Sequence, residues 1–429
     1  MNNLDRRNFL QITGAGLAST SFSQGAHAAQ KNDSKSSDQP NVVLIISDDQ
    51  GFTDYGFMGH PVIQTPHLDR LANQSVVYTR GYVTTALCCP SLSTLLTGLY
   101  PHQHKVTGND PVDIEKRHLW YEAFERCSHL PALLADAGYV SFQSGKYWMG
   151  HYSRAGFTDG MTTKGRHGDA GLEIGRSTMQ PIYKFIDQAQ KDKKPFFVWY
   201  APFMPHLPHT PPQDLEEKYR SAGEKAKYYA MCDWFDQTCG QLLDHLDQRN
   251  LSENTIVMYL ADNGWPQPYK GSPYELGVRT PIMIRWPKKY DHKMDVENLA
   301  NSIDIAPTIL TACGIQPPAE MPGVNLLDFS SVAARDMIFL ENFAHDMADV
   351  NDAAKSLRAR SCIQGDWKLI VWQENQPELR TSGKAKPVAN IELYNLKEDP
   401  FEKINLAEKH PDKVDALKKC LDEWWNPMD

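Results

Sequence analysis

A chain of 429 residues that is 41% hydrophobic, 23% charged and 10% aromatic has the composition of a folded globular protein. It excludes collagen-like, disulfide-stapled miniature and wholly disordered chains. Its 53 acidic against 44 basic residues give a net charge of −9, without the basic excess of a nucleic-acid binder, so an anionic substrate needs a local positive pocket.

In chain order, residues 1–28 read as a targeting segment. Asp5-Arg6-Arg7-Asn8-Phe9-Leu10 is a twin-arginine pattern, residues 12–22 are mildly apolar, and Ala26-His27-Ala28 has the form of a cleavage site. These features predict export through the Tat machinery and a periplasmic or secreted protein. No run reaches the ~18 apolar residues of a membrane span. Residues 31–40 are a polar spacer.

Short apolar runs then alternate with helical stretches. Strands are predicted over 42–46, 139–142, 196–200, 255–260 and 282–285, and helices over 65–74, 130–137, 182–190 and 226–248. Continuous apolar strands separated by helices predict an α/β fold with a large, mostly parallel sheet flanked by helices. Beyond about residue 330 the texture changes. Residues 361–372 and 391–396 read as antiparallel strands and 410–425 as a charged helix. The expected organisation is a signal peptide at 1–28, an α/β domain at 41–330 and a smaller C-terminal α+β subdomain at 331–429. The eight cysteines show no zinc-binding spacing, and Cys232 with Cys239 is a candidate disulfide for an oxidising compartment.

In an open α/β sheet, ligands bind beyond the carboxyl ends of the strands. The residues there are Ser47-Asp48-Asp49, Ser144-Gly145-Lys146, Ala201-Pro202-Phe203-Met204-Pro205-His206 and Ala261-Asp262-Asn263-Gly264. Three carboxylates, an amide, a lysine and a histidine thus converge on one edge. Such oxygen ligands suit a hard divalent cation, calcium or magnesium. Asp-Asn-Gly alone is an ordinary turn; the convergence gives it weight.

The segment Ala86-Leu87-Cys88-Cys89-Pro90-Ser91-Leu92-Ser93-Thr94-Leu95-Leu96-Thr97-Gly98 places Pro90 in the first turn of a helix and Gly98 at its end. Cys88 stands at the helix start, where free amides favour an anion. With Leu99-Tyr100-Pro101-His102, this segment resembles the signature of the type I, formylglycine-dependent sulfatases of the alkaline phosphatase superfamily. There the motif is Cys-x-Pro-Ser-Arg, and its cysteine is oxidised to formylglycine. The resemblance extends to NVVLIISDDQGFTDYG at 41–56, Thr65-Pro66-His67-Leu68-Asp69-Arg70-Leu71, Asp262-Asn263-Gly264, Lys270-Gly271-Ser272-Pro273 and Glu392-Leu393-Tyr394-Asn395-Leu396.

The resemblance implies that 41–330 is the catalytic domain. It further implies that Asp48, Asp49, Asp262, Asn263 and the modified Cys88 bind one divalent cation, calcium or magnesium. Lys146 and Lys270 would hold sulfate oxygens, with His206 beside the leaving oxygen, so that Cys88, Lys146, His206 and Lys270 form the catalytic set. The hydrated aldehyde would attack sulfur while Asp262 takes its proton and His206 or Lys270 protonates the alcohol. A formylglycine-generating maturase is an implied partner.

Two positions depart from the family pattern: Leu92 stands where arginine is expected, and Trp148 where histidine is common, leaving His151 or His104 as candidate substitutes. The expected function is hydrolysis of a sulfuric ester in the exported space, on a sulfated carbohydrate. The alternatives are a catalytically impaired sulfated-glycan binder and a phosphoester or phosphonate hydrolase. Trp120, Trp148 and Trp265 are candidate sugar-stacking faces. Lys164, Arg166 and His167 are a candidate patch for a second anionic group.

Overall fold

The structure, a computed structural model, describes residues 39–164, 167, 169–265, 269–373 and 389–428. The expected signal segment and Arg166 lie outside the described residues.

Eight strands form one sheet in the order Lys293–Asp295, Val76–Tyr78, Ile282–Arg285, Thr255–Ala261, Asn41–Ser47, Phe196–Ala201, Val140–Gly145 and Asp159–Gly160. The four long central strands run parallel, whereas Ile282–Arg285 is antiparallel to both neighbours. Side chains alternate across a strand, and the two faces of Asn41–Ser47 enter different cores. Val42, Leu44 and Ile46 pack with Leu92, Leu95, Leu134 and Ile309, while Val43 and Ile45 pack with Leu68, Ile182, Phe235 and Leu242. The helices Cys88–Thr97, Leu130–Asp136 and Ile305–Ala312 therefore cover one face. Pro66–Ala72, Gln180–Lys191 and Ala226–Gln248 cover the other.

A separate antiparallel sheet contains Met337–Phe343, Leu357–Gln364, Trp367–Trp372 and Ile391–Asn395, in that order. One of its faces packs Leu369 and Leu393 against Leu417 and Leu421 of the helix Pro411–Trp424. The other packs Leu340, Ile370 and Tyr394 against Tyr82, Val83 and Val278.

Two expectations change. All eight cysteines are free. Cys232 and Cys239 stand about two helical turns, roughly 10 Å, apart along one helix, beyond a disulfide's Cα separation. Trp120 and Trp148 are 0% and 1% exposed, so they are core residues that present no face to a sugar. Among the described residues, no helix is long and apolar enough to cross a membrane.

Candidate active site

The parallel strands deliver the candidate residues to one edge, and local chemistry fixes each of them. Asp48 donates its backbone N–H to Met204 O at 2.9 Å, which ties the first strand's end to the loop carrying His206. Asp49 sits in the left-handed region at φ 62°, a conformation that aspartate tolerates better than most residues. Behind it, Tyr228 donates to Asp54 Oδ2 at 2.6 Å and Asp54 accepts the Gly51 N–H at 3.1 Å, bracing the loop. Gly145 has φ 80°, and a Cβ there would stand 1.9 Å from Ala201 O, so only glycine lets Lys146 turn inward.

The helix Cys88–Thr97 begins after an extended Leu87, and every one of its residues is buried. Asn109 Oδ1 accepts the Cys89 N–H at 2.9 Å, satisfying one of the free amides of the first turn. At the other end, Gly98 adopts φ 65° and donates to Thr94 O.

All eight candidate residues meet. The Cys88 thiol donates to Asn263 Oδ1 at 3.3 Å and lies 3.9 Å from Asp48 Oδ1. Lys146 Nζ is 2.5 Å from Asp48 Oδ1 and 3.6 Å from Asp262 Oδ2. Asn263 Nδ2 donates to Asp49 Oδ1 at 2.6 Å, and the Asp49 N–H donates to Asp262 Oδ1 at 3.2 Å. Lys270 Nζ lies 2.6 Å from Asp49 Oδ2 and 3.2 Å from His206 Nε2. His206 Nδ1 faces Leu207 O at 2.5 Å, which fixes the proton on Nδ1 and leaves Nε2 as the acceptor. The side chains of Asp48, Lys146 and Asp262 are at most 3% exposed, whereas those of Lys270 and His206 are 12% and 18% exposed. A ligand therefore enters from the Lys270–His206 side.

Burial and charge set the protonation states. Burial, then the Asp48 charge, pushes the Asp262 carboxyl well above the ordinary carboxylate range. Burial also opposes charge on Asp49, but Lys270, His206 and Lys146 overcome it and hold this carboxyl well below its usual value. Burial opposes charge on Lys146, but Asp48 together with Asp262 and Asp49 outweighs it and keeps the ammonium charged. Burial lowers His206 and raises the Cys88 thiol, which keeps its proton.

The donor set suits a cation. Asp48 Oδ2 and Asp262 Oδ2 are buried without a hydrogen-bond partner, an arrangement that costs several kcal/mol per ion unless a positive charge stands between them. Ligand atoms of Asp48, Asp49, Cys88 and His206 all lie within 4.8 Å of one another. Asp48, Asp49, Asp262 and Asn263 are thus able to hold a hard divalent ion.

Other candidates fall outside. His151 is exposed and bonded to Ser153, while His104 is buried against Thr94 and Val106 and is held neutral, its pKa lowered to about 3 by burial. Leu92 and Trp148 join the apolar core. His167 does approach, with its ring centroid 4.7 Å from Trp148 and 6.4 Å from His206. No motif or spacing singles out Phe203 or Arg176. The Phe203 ring stacks on His206 at 4.3 Å and lies 5.4 Å from Lys146 Nζ, and Arg176 donates to Phe203 O. Phe203 lies in the strand-end segment 201–206, whose one ionisable residue is His206, and Arg176 belongs to no motif.

Known proteins resemble this chain along most of its length. The chain is 25% identical to an N-acetylgalactosamine-6-O-sulfatase of Bacteroides thetaiotaomicron, over 92% of this chain and 94% of that protein. It is 25% identical to an ulvan-active sulfatase of Formosa agariphila, over 90% and 75% respectively. The fold matches the crystal structure of Ps i-CgsB in complex with k-i-k-neocarrahexaose, with a TM-score of 0.74 and 21% identity over 91% and 93% of the two chains. Residues 269–425 match the C-terminal model of N-sulphoglucosamine sulphohydrolase. Residues 40–315, which carry all eight strands of the large sheet and every residue of the cluster, match the sulfatase family model, and the chain belongs to the sulfatase family.

Proposed function

We propose that this sulfatase hydrolyses a sulfate ester on a carbohydrate, with Cys88 matured to formylglycine, calcium as its cation, and export by the twin-arginine route to the periplasm or beyond. The observation that carries the reading is the setting of Cys88: its thiol points at Asn263 and Asp48 from the start of a buried helix and keeps its proton. A protonated thiol is a weak nucleophile, so this cysteine suits the site only once its side chain is converted. The relatives support the substrate class, since one is named for N-acetylgalactosamine 6-O-sulfate and another for ulvan.

A formylglycine at position 88 supplies, as its hydrate, a hydroxyl nucleophile in place of the thiol. A calcium ion held by Asp48, Asp49, Asp262 and Asn263 supplies positive charge for sulfuryl oxygens. The chain's own groups do the rest. Asp262, buried beside position 88, takes the proton of the attacking hydroxyl. Lys146, sealed against Asp48, and Lys270, at the opening, orient the sulfate and offset its charge. His206 accepts from Lys270 at Nε2, so the pair holds a proton at the side where the alcohol leaves. Leu92 and Trp148 pack in the core, which supports a structural use for both departures from the family pattern.

The test is sulfate release from a 6-sulfated hexosamine by protein made beside a formylglycine-generating enzyme, measured against its Cys88→Ala variant and a matched phosphate ester. Release that needs Cys88 and exceeds phosphate release is expected. Faster phosphate release, or retained sugar affinity without any turnover, overturns the reading.

A further inference from the structure

Beyond the sulfate pocket stands a positive charge that a single sulfate ester leaves unanswered. Asp48, Asp49 and Asp262 face two ammonium groups, Lys146 and Lys270. With a divalent cation, that set carries one excess positive charge, which one sulfate monoester neutralises. Arg176 is additional. Its Nε and Nη2 donate to Phe203 O at 3.2 and 2.5 Å, and its Nη1 donates to Thr210 Oγ1 at 3.1 Å. Those bonds use three of the five N–H groups of a guanidinium. Among the described residues, Arg176 forms no ion pair with any carboxylate, although it is half-buried. A half-buried arginine held by a carbonyl, a hydroxyl and the faces of Phe203 and Trp234, with no carboxylate, still has donors to offer, and its fork pairs well with an anion.

Its place in the site defines what it can read. The Phe203 ring lies 5.7 Å from Arg176 Cζ and 5.4 Å from Lys146 Nζ. The same ring stacks on His206, on the side where a ligand enters. Thr210, which steadies the guanidinium, is exposed, so Arg176 stands at the mouth rather than in the sealed floor. The span from the lysine to the arginine, with one aromatic ring between them, is within reach of one or two sugar units.

We propose that Arg176 anchors a second anion-binding subsite at the mouth of the pocket, which recognises a carboxylate or a further sulfate on the same substrate. The inference rests on the sulfatase reading and narrows it to substrates with two anionic groups. Arg176 acts on binding and orientation, and the bond-breaking groups remain those at the pocket floor.

The experiment compares three probes: a hexosamine monosulfate, the same sugar with a second sulfate, and a monosulfated disaccharide bearing a uronate. The readout is the ratio of kcat/KM for each dianionic probe to that for the monosulfate, so any loss common to all cancels. The wild-type enzyme is expected to favour at least one dianionic probe. Arg176→Gln is expected to cut that preference by roughly tenfold to a hundredfold, the scale of a lost charge-assisted hydrogen bond, with the change in KM. Arg176→Lys keeps the charge without the fork and is expected to fall between them. Loss on the uronate alone identifies a carboxylate, and loss on the disulfate alone identifies a sulfate; either supports the subsite. An equal ratio in wild type and Arg176→Gln overturns it.

Calorimetry on the Cys88→Ala background, with and without Arg176→Gln, reads the same preference as affinity without turnover. An enzyme that releases no sulfate from any probe contradicts the sulfatase reading, while the calorimetric ratio still decides for or against Arg176. Arg176→Lys serves as the second variant if Arg176→Gln does not fold.

Discussion

Asp48 Oδ2 and Asp262 Oδ2 lie buried without hydrogen-bond partners, while Lys146 is within 3.6 Å of both side chains. Lys270 answers Asp49, which leaves the single Lys146 ammonium between the two buried carboxyls of Asp48 and Asp262, so the folded chain without a cation is undercompensated at this pair. A ligand that binds only the native state stabilises it by about 2.7 kcal/mol at a hundred times its Kd. Chelation is therefore expected to lower the melting temperature and calcium to restore it, with Asp262→Asn blunting the response; a melting curve indifferent to chelator and calcium contradicts this. His206 belongs to the same scale. Its Nε2 accepts from Lys270 beside the opening, so His206→Ala should cost far more on a sugar sulfate, whose alcohol leaves poorly, than on nitrophenyl sulfate. A loss of about a hundredfold on the sugar is in the range of general acid catalysis, and equal losses on both substrates contradict the assignment.

Among the elements, the helix Pro66–Ala72 depends on a residue far away in sequence. Asp236, on the helix Ala226–Gln248, accepts the His67 and Leu68 N–H groups at 3.1 and 2.7 Å. Asp236→Ala leaves those amides unmet and should cost about 1–2 kcal/mol, as lost caps do. Burial raises the Asp236 carboxyl from 3.8 to about 7, against the pull of both amides. Over that window the folded protein holds a proton that the unfolded chain releases, so this group's contribution is full in acid and is lost as pH rises through about 7. Asp236→Asn is expected to lose less stability than the wild type across that window, as read by melting temperature against pH. Elements differ in how far local sequence determines them. Pro90 and Gly98 mark the ends of the nucleophile helix, and apolar β-branched runs mark the central strands. Val76–Tyr78 and Lys293–Asp295 have only three residues each and gain their partners through the sheet, so no local pattern marks them. The cysteine spacing suggested a bridge that helical rise forbids.

Across the whole molecule, the smaller sheet is clasped to the rest by a buried ion cluster. Lys368 is 0% exposed and lies 3.1 Å from Glu275 and 2.9 Å from Glu402. Glu275 belongs to the short helix Glu275–Val278, following the Lys270 loop. From the strand Met337–Phe343, Asn342 also donates to Gly271 O at 2.8 Å. The sheet thus braces the segment that presents Lys270. Lys368→Met leaves Glu402 without its cation and Glu275 with only the more distant Arg279 at 3.6 Å, a loss of about 3–5 kcal/mol on the usual scale of broken buried pairs. Denaturant unfolding should show it, and adding Glu402→Gln should recover part; a loss under 1 kcal/mol contradicts the clasp. None of this was visible in the sequence, because Glu275 lies more than 90 positions before both Lys368 and Glu402 and the three form no motif. The pocket floor was visible, since strand ends in a parallel sheet must share an edge. Its rim was not: Arg176 and Phe203 meet through loop geometry that no periodicity encodes.

The central claim is that Cys88 is a precursor of the nucleophile. Mass spectrometry of the peptide spanning residues 86–98, from protein made beside a formylglycine-generating enzyme, tests it most directly. A loss of about 18 Da, the change from thiol to aldehyde, is the predicted result and places the converted side chain beside Asn263 and Asp48. An intact thiol in protein that still releases sulfate would contradict it.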